Sequence, residues 1–96
     1  MTEYEVMFII ATALEDDKKE STIEFVKEII SSSSGAVGKT DIWGNRKLAY
    51  PINKKNEGYY VVMEFEGSAD LPKELDRRMK ISDSIIRHLI INKSEN

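Results

Sequence analysis

Polar and apolar positions alternate from Glu3 to Ile10. Tyr4, Val6, Phe8 and Ile10 fall on one side, and Glu5, Met7 and Ile9 on the other. A period of two predicts a β-strand. Its second side is half apolar as well, which predicts a central strand with both faces partly covered. The period then changes. Ile23, Val26 and Ile30, widened by Phe25 and Ile29, recur at helical spacing, with Glu20, Glu24, Lys27 and Glu28 on the wet side. Asp17 and Glu20 stand three apart as in a capping box, so the helix is predicted to begin with Asp17 in the cap role. Ser31 to Gly35 is predicted to end it. Serines compete for backbone hydrogen bonds, and Gly35 suits the positive φ of a C-terminal cap.

Alternation returns from Ala36 to Ile52, with Ile42, Arg46, Leu48, Tyr50 and Ile52 of one parity. Gly44-Asn45 in its middle predicts a bulge or bend. Pro51 has no N–H for a ladder, so this strand is predicted to lie at an edge. Asn53 to Gly58 reads as a polar turn. Tyr59 to Glu66 reads as the third strand, with Val61, Met63 and Phe65 on one side, and the two strands form a hairpin. Gly67 to Asp70 breaks the pattern. Asp70 is predicted to cap a second helix, with Pro72 in its first turn and an apolar stripe of Leu71, Leu75 and Met79. Ser82-Asp83 turns the chain into a fourth strand, Ser84 to Asn92, and residues 93–96 form a polar tail. The order β-α-β-β-α-β predicts an α+β fold, the ferredoxin-like sandwich: a four-stranded antiparallel sheet with two helices on one face. The first and third strands are central in that arrangement. One sheet face stays open, and function is expected there.

Ninety-six residues suit one domain, 1–96, with a single core. The absence of cysteine removes disulfides and thiolate metal sites. No apolar run approaches the roughly 20 residues needed to cross a bilayer, and the acidic N-terminus does not read as a leader. Net charge is −3, against the basic balance expected of a free-standing RNA binder. The charge is uneven, however: Arg46, Lys47, Lys54 and Lys55 cluster at mid-chain, and Arg77, Arg78 and Lys80 later.

Catalytic chemistry is not apparent. His88 is the only histidine; acid–base work needs a positioned partner, and a lone strand histidine reads as a packing or surface residue. Gly35 to Gly38 does not have the ending of a phosphate loop. Glu15-Asp16-Asp17 lacks calcium-loop spacing and reads as dipole partners of a helix start. No metal, cofactor or small-molecule substrate is expected, and the chain is read as a non-enzyme. The basic pairs Arg46-Lys47 and Lys54-Lys55 admit two readings: phosphate contact beside Tyr50 or Trp43, or a solvated edge guarded against aggregation. Alternation points Arg46 and Lys47 to opposite faces, so at most one is expected to meet any one surface. On the open face, Met7, Ile9, Tyr60, Val62 and Glu64 lack the aromatic pattern of an RNA-recognition sheet. An apolar face of this kind suggests a protein partner.

The run Gly44-Asn45-Arg46-Lys47-Leu48-Ala49-Tyr50-Pro51-Ile52-Asn53 resembles the signature of the bacterial small-ribosomal-subunit protein six family. Tyr4-Glu5-Val6, Glu57-Gly58-Tyr59-Tyr60 and Ile81 to Ile91 resemble its first, third and closing strands, so the likeness spans nearly the whole chain. The resemblance implies a structural constituent of the cytoplasmic small ribosomal subunit, or of an organellar one. It further implies binding to the central domain of ribosomal RNA together with small-subunit protein eighteen, a basic partner that offsets the charge of −3. Arg46, Lys47 and Arg87 match family positions and, with Tyr50 and Lys54, are the expected RNA or partner contacts. Two rivals from other classes are a ferredoxin-like regulatory or ligand-binding module that self-associates through its sheet, and a small enzyme on the same scaffold.

Overall fold

The computed structural model describes residues 2–12, 15–52 and 55–93, with the side chains of 48–52 and 55–56 set aside. Its elements are β1 (Thr2–Ala11), α1 (Asp16–Ser32), β2 (Ala36–Ile52), β3 (Lys55–Gly67), α2 (Leu71–Lys80) and β4 (Ile85–Asn92). The strands form one antiparallel sheet in the order β2-β3-β1-β4. The expected fold is therefore present, with β1 and β3 central and β2, which carries Pro51, at an edge.

The two periodicities build the core. Val6, Phe8 and Ile10 of β1 and Val61, Met63 and Phe65 of β3 face the helices and are buried. Ile23, Val26, Ile29 and Ile30 of α1 cover them, beside Leu71, Leu75 and Met79 of α2. Tyr4 and Phe65 stack with ring centroids 5.3 Å apart.

The helix ends differ from expectation. Helix α1 is capped by Glu15, not Asp17. The Glu15 carbonyl accepts from the N–H groups of Lys18 and Lys19, and no side chain completes a capping box. Asp16 and Asp17 lie inside the first turn, where a negative charge complements the helix dipole without closing a cap. At the other end the left-handed residue is Ser34 (φ 63°), not Gly35. Ser34 N–H donates to Ser31 O and Gly35 N–H to Ile30 O, the paired bonds of a Schellman motif. Gly35 is needed for room instead: a Cβ there would lie 2.6 Å from Leu71 Cδ2 and 2.8 Å from Glu66 O.

β3 starts at Lys55, earlier than the expected Tyr59, so residues 55–58 are strand where the sequence suggests a turn. β1 ends its ladder with Ala11 opposite Gly58, and Arg46 is the β2 partner of Gly58. Beyond that rung the described hairpin is a two-stranded arm.

Helix α2 is tied to β4 by polar contacts. The half-buried ring of His88 donates from Nε2 to Asp76 Oδ1 at 2.6 Å, and Lys80 Nζ lies 3.0 Å from Asp76 Oδ2. The hydrogen bond from His88, then that from Lys80, holds the Asp76 carboxyl below the ordinary value of 3.8. A depressed carboxyl stabilises the fold above its unfolded value and loses that contribution as pH falls through the folded one. Asp76→Asn is therefore expected to flatten the acid limb of a stability–pH profile below about pH 4. Urea unfolding across pH 2 to 6 checks this, and a variant with the parent's acid limb would refute it.

Candidate nucleic-acid and partner interface

The strand registers lay out the open face as a set of rungs. At the top, Arg46, Gly58 and Ala11 are aligned. The next rung holds Gly44, Tyr60, Ile9 and Arg87, and below it come Asp41, Val62, Met7 and Leu89. Then come Glu64, Glu5 and Ile91, and last Glu66 beside Glu3. Apolar side chains are partly bare along β4: Leu89, in the middle, is 51% exposed, and Ile91, beside Glu5, 42%.

The sequence did not place Trp43 on this face. The β2–β3 register slips by one residue between Ile42 and Gly44, and Gly44 takes φ 78°. Such a bulge re-aims side chains. Ile42 faces Val61 on the helix side, whereas Arg46 faces Gly58 on the open side, so their expected common parity does not hold. Trp43, 49% exposed, stacks nearly parallel on Tyr60, with rings inclined by 8° and centroids 6.3 Å apart. Gly44, opposite Tyr60, carries no side chain to cover that ring.

Arg46 and Lys47, both exposed, border the same shallow hollow with Trp43 and Tyr60. The expectation that only one of them can meet a given surface is thus not met. Register alternation sets where Cβ points, but Lys47 has a long side chain on an edge strand where only two strands pair, and two-stranded ribbons twist strongly. Arg87 lies on the same face but three strands away, at the far edge, with Tyr60 of β3 and Ile9 of β1 between. Tyr50 is a residue of β2 whose side chain is not described, and Lys54 lies outside the described residues.

A cation that no pattern suggested lies at the helix side of this end. Lys19 is 8% exposed. Its ammonium lies 4.9 Å from the centre of the Tyr59 ring and 3.8 Å from Asp16. A lysine of α1 thus sets its charge over an aromatic face of β3 while little of it is exposed.

The opposite end of the open face is acidic. Glu3 pairs across the ladder with Glu66, and Glu5 with Glu64. Like charges directly opposite are unfavourable. Lys93, first residue of the polar tail, offsets part of this by donating to Glu64 Oε1 at 2.8 Å. That hydrogen bond is the main reason Glu64 titrates low, and the same bond raises Lys93. Among the described residues no group of acids and histidines could hold a metal ion, and no described helix is long and apolar enough to cross a membrane.

Comparison with known proteins turns on residues 3–92, which match the family model described as ribosomal protein S6. The chain belongs to the ribosomal protein S6 family. It is 50% identical over 92 residues to small ribosomal subunit protein bS6 of Clostridium acetobutylicum, spanning 96% of this chain and 97% of that protein. The bS6 of Alkaliphilus metalliredigens is 48% identical over 95 residues, 99% of this chain and all of the other. The crystal structure of 30S ribosomal protein S6 from Thermotoga maritima superposes with a TM-score of 0.92 at 35% identity, covering 98% of this chain and 89% of that one. The chain is thus a small-subunit ribosomal protein of the bacterial cytoplasm, structural and not enzymatic.

Proposed function

We propose that the chain binds the central domain of small-subunit ribosomal RNA together with small-subunit protein eighteen. The observation that carries this is the open face: exposed apolar side chains in the middle and cations at the rim beside a stacked Trp43–Tyr60 pair. Apolar area of this kind suits a protein. The guanidinium and ammonium groups suit phosphate, which positions RNA without reading its sequence. Arg46, Lys47 and Arg87 supply these contacts, and Tyr50 and Lys54 are proposed with them from the sequence.

A chain of net charge −3 gains little from RNA alone. Its isolated affinity for a central-domain fragment is expected to be weak and to rise sharply with the basic partner. Equal affinity with and without protein eighteen would sink this reading. In the complex, Arg46→Ala is expected to lower the slope of log affinity against log salt by about 1, the share of one phosphate contact. A filter-binding salt titration measures it, and an unchanged slope removes Arg46 from the RNA contacts.

A further inference from the structure

The open face has a direction. From Glu3 to Ala11 the central strand runs eight residues, about 26 Å, from a rung of two glutamates to the rung of Arg46. Four carboxylates, Glu3, Glu5, Glu64 and Glu66, occupy the two lowest rungs. On the neighbouring strand the exposed Leu89 lies between the two ends, beside Met7, and the exposed Ile91 lies at the inner acidic rung, beside Glu5. The separation is about three times the Debye length of about 8 Å at physiological ionic strength, so each end meets a ligand as an independent charge.

We propose that this polarity fixes how a basic protein lies on the face. The partner runs along the strands with its lysines and arginines over Glu3, Glu5, Glu64 and Glu66. Its apolar side chains rest on Met7, Val62, Leu89 and Ile91, and the Arg46 end is left to phosphate. The inference rests on the proposed function and adds the orientation of the partner to it. Two cross-strand pairs of glutamates are unfavourable in the free chain and become favourable under a cationic tenant, whose encounter they also steer. Lys93 already shows the chemistry: the chain's own ammonium is drawn onto Glu64 at 2.8 Å. A partner's cations extend what that single lysine begins.

The test is isothermal titration of the full chain with small-subunit protein eighteen at low and physiological salt. Glu3→Lys/Glu66→Lys reverses two exposed charges, and because Lys93 is attracted to Glu3 in the parent, circular dichroism of the variant first checks that the sheet is kept. The variant is expected to weaken the protein complex about tenfold or more, while Arg46→Ala changes that affinity less than about twofold and acts on the RNA salt slope instead. Lys93→Gln uncovers the glutamates and is expected to tighten the protein complex several-fold at low salt, an outcome that misfolding cannot imitate. An unchanged affinity in the glutamate variant, or a protein complex lost through Arg46→Ala, overturns the orientation while leaving the proposed function standing. A parent chain that does not bind protein eighteen at all overturns both.

Discussion

Phe8→Ala is expected to lose about 3–5 kcal/mol of unfolding free energy, the largest effect of any single truncation considered for this chain. Phe8 is fully buried on the central strand β1, paired with Val61 on one side and His88 on the other. Core residues of β3 and both helices close over it, so the cavity has no side open to solvent through which it could fill with water. A domain of this size has about 5–15 kcal/mol in total, so the variant is expected to unfold at much lower urea with an unchanged slope. Leu89→Ala removes an apolar residue of similar class from the open face and is expected to stay within about 0.5 kcal/mol of the parent. A Phe8→Ala loss below about 1 kcal/mol would mean that the packing around β1 is looser than described.

Gly35→Ala comes second, at about 1–3 kcal/mol. The added carbon would meet Leu71 Cδ2 at 2.6 Å, Glu66 O at 2.8 Å and Ile30 O at 2.9 Å. A leucine methyl can rotate aside, but two carbonyl oxygens of the backbone cannot. The exit of α1, the start of β2 and the first turn of α2 must all shift to admit one methyl group. Gly44→Ala is the instructive contrast. A Cβ there meets nothing within 4 Å, and its penalty comes from φ 78° alone. The two substitutions are separated by a compensating Leu71→Ala, which is expected to relieve part of the strain at position 35 and to do nothing for position 44. Additivity at both sites would contradict this division.

The sequence made the main layout legible because a single physical rule governed each signal. The stripe Leu71, Leu75 and Met79 has one dry side to occupy, and all three residues are buried. Alternation along β1 separates Tyr4, Val6, Phe8 and Ile10 from Met7 and Ile9 for the same reason. Local chemistry failed where two rules competed. Asp17 and Glu20 fit a capping box, yet the helix begins earlier because the Glu15 carbonyl can already accept from Lys18 and Lys19. Gly35 reads as a helix stop by conformation, but what excludes a side chain there is the approach of Leu71 and Glu66, which no local pattern encodes.

The site was legible in kind but not in geometry. Gly44-Asn45 signalled a bulge, but a signal of that type does not say which residue is the extra one. The answer decides on which side Ile42 and Arg46 lie and brings Trp43 against Tyr60. Lys19 escaped notice because a lysine in a first turn ordinarily stays wet; the ring its ammonium meets, Tyr59, is forty residues away in the chain.

Trp43 is the only tryptophan in the chain, and its position gives the protein a built-in optical probe of a particular kind. Indole emission moves to the blue when water is withdrawn from the ring. Here the half-exposed ring lies on the open face and outside the helix-covered core. Intrinsic fluorescence therefore reads the arrival of a ligand on that face without any label, and it reads the loss of packing around Phe8 poorly. Stability measurements on this chain belong to far-ultraviolet circular dichroism, and the indole is free to time assembly.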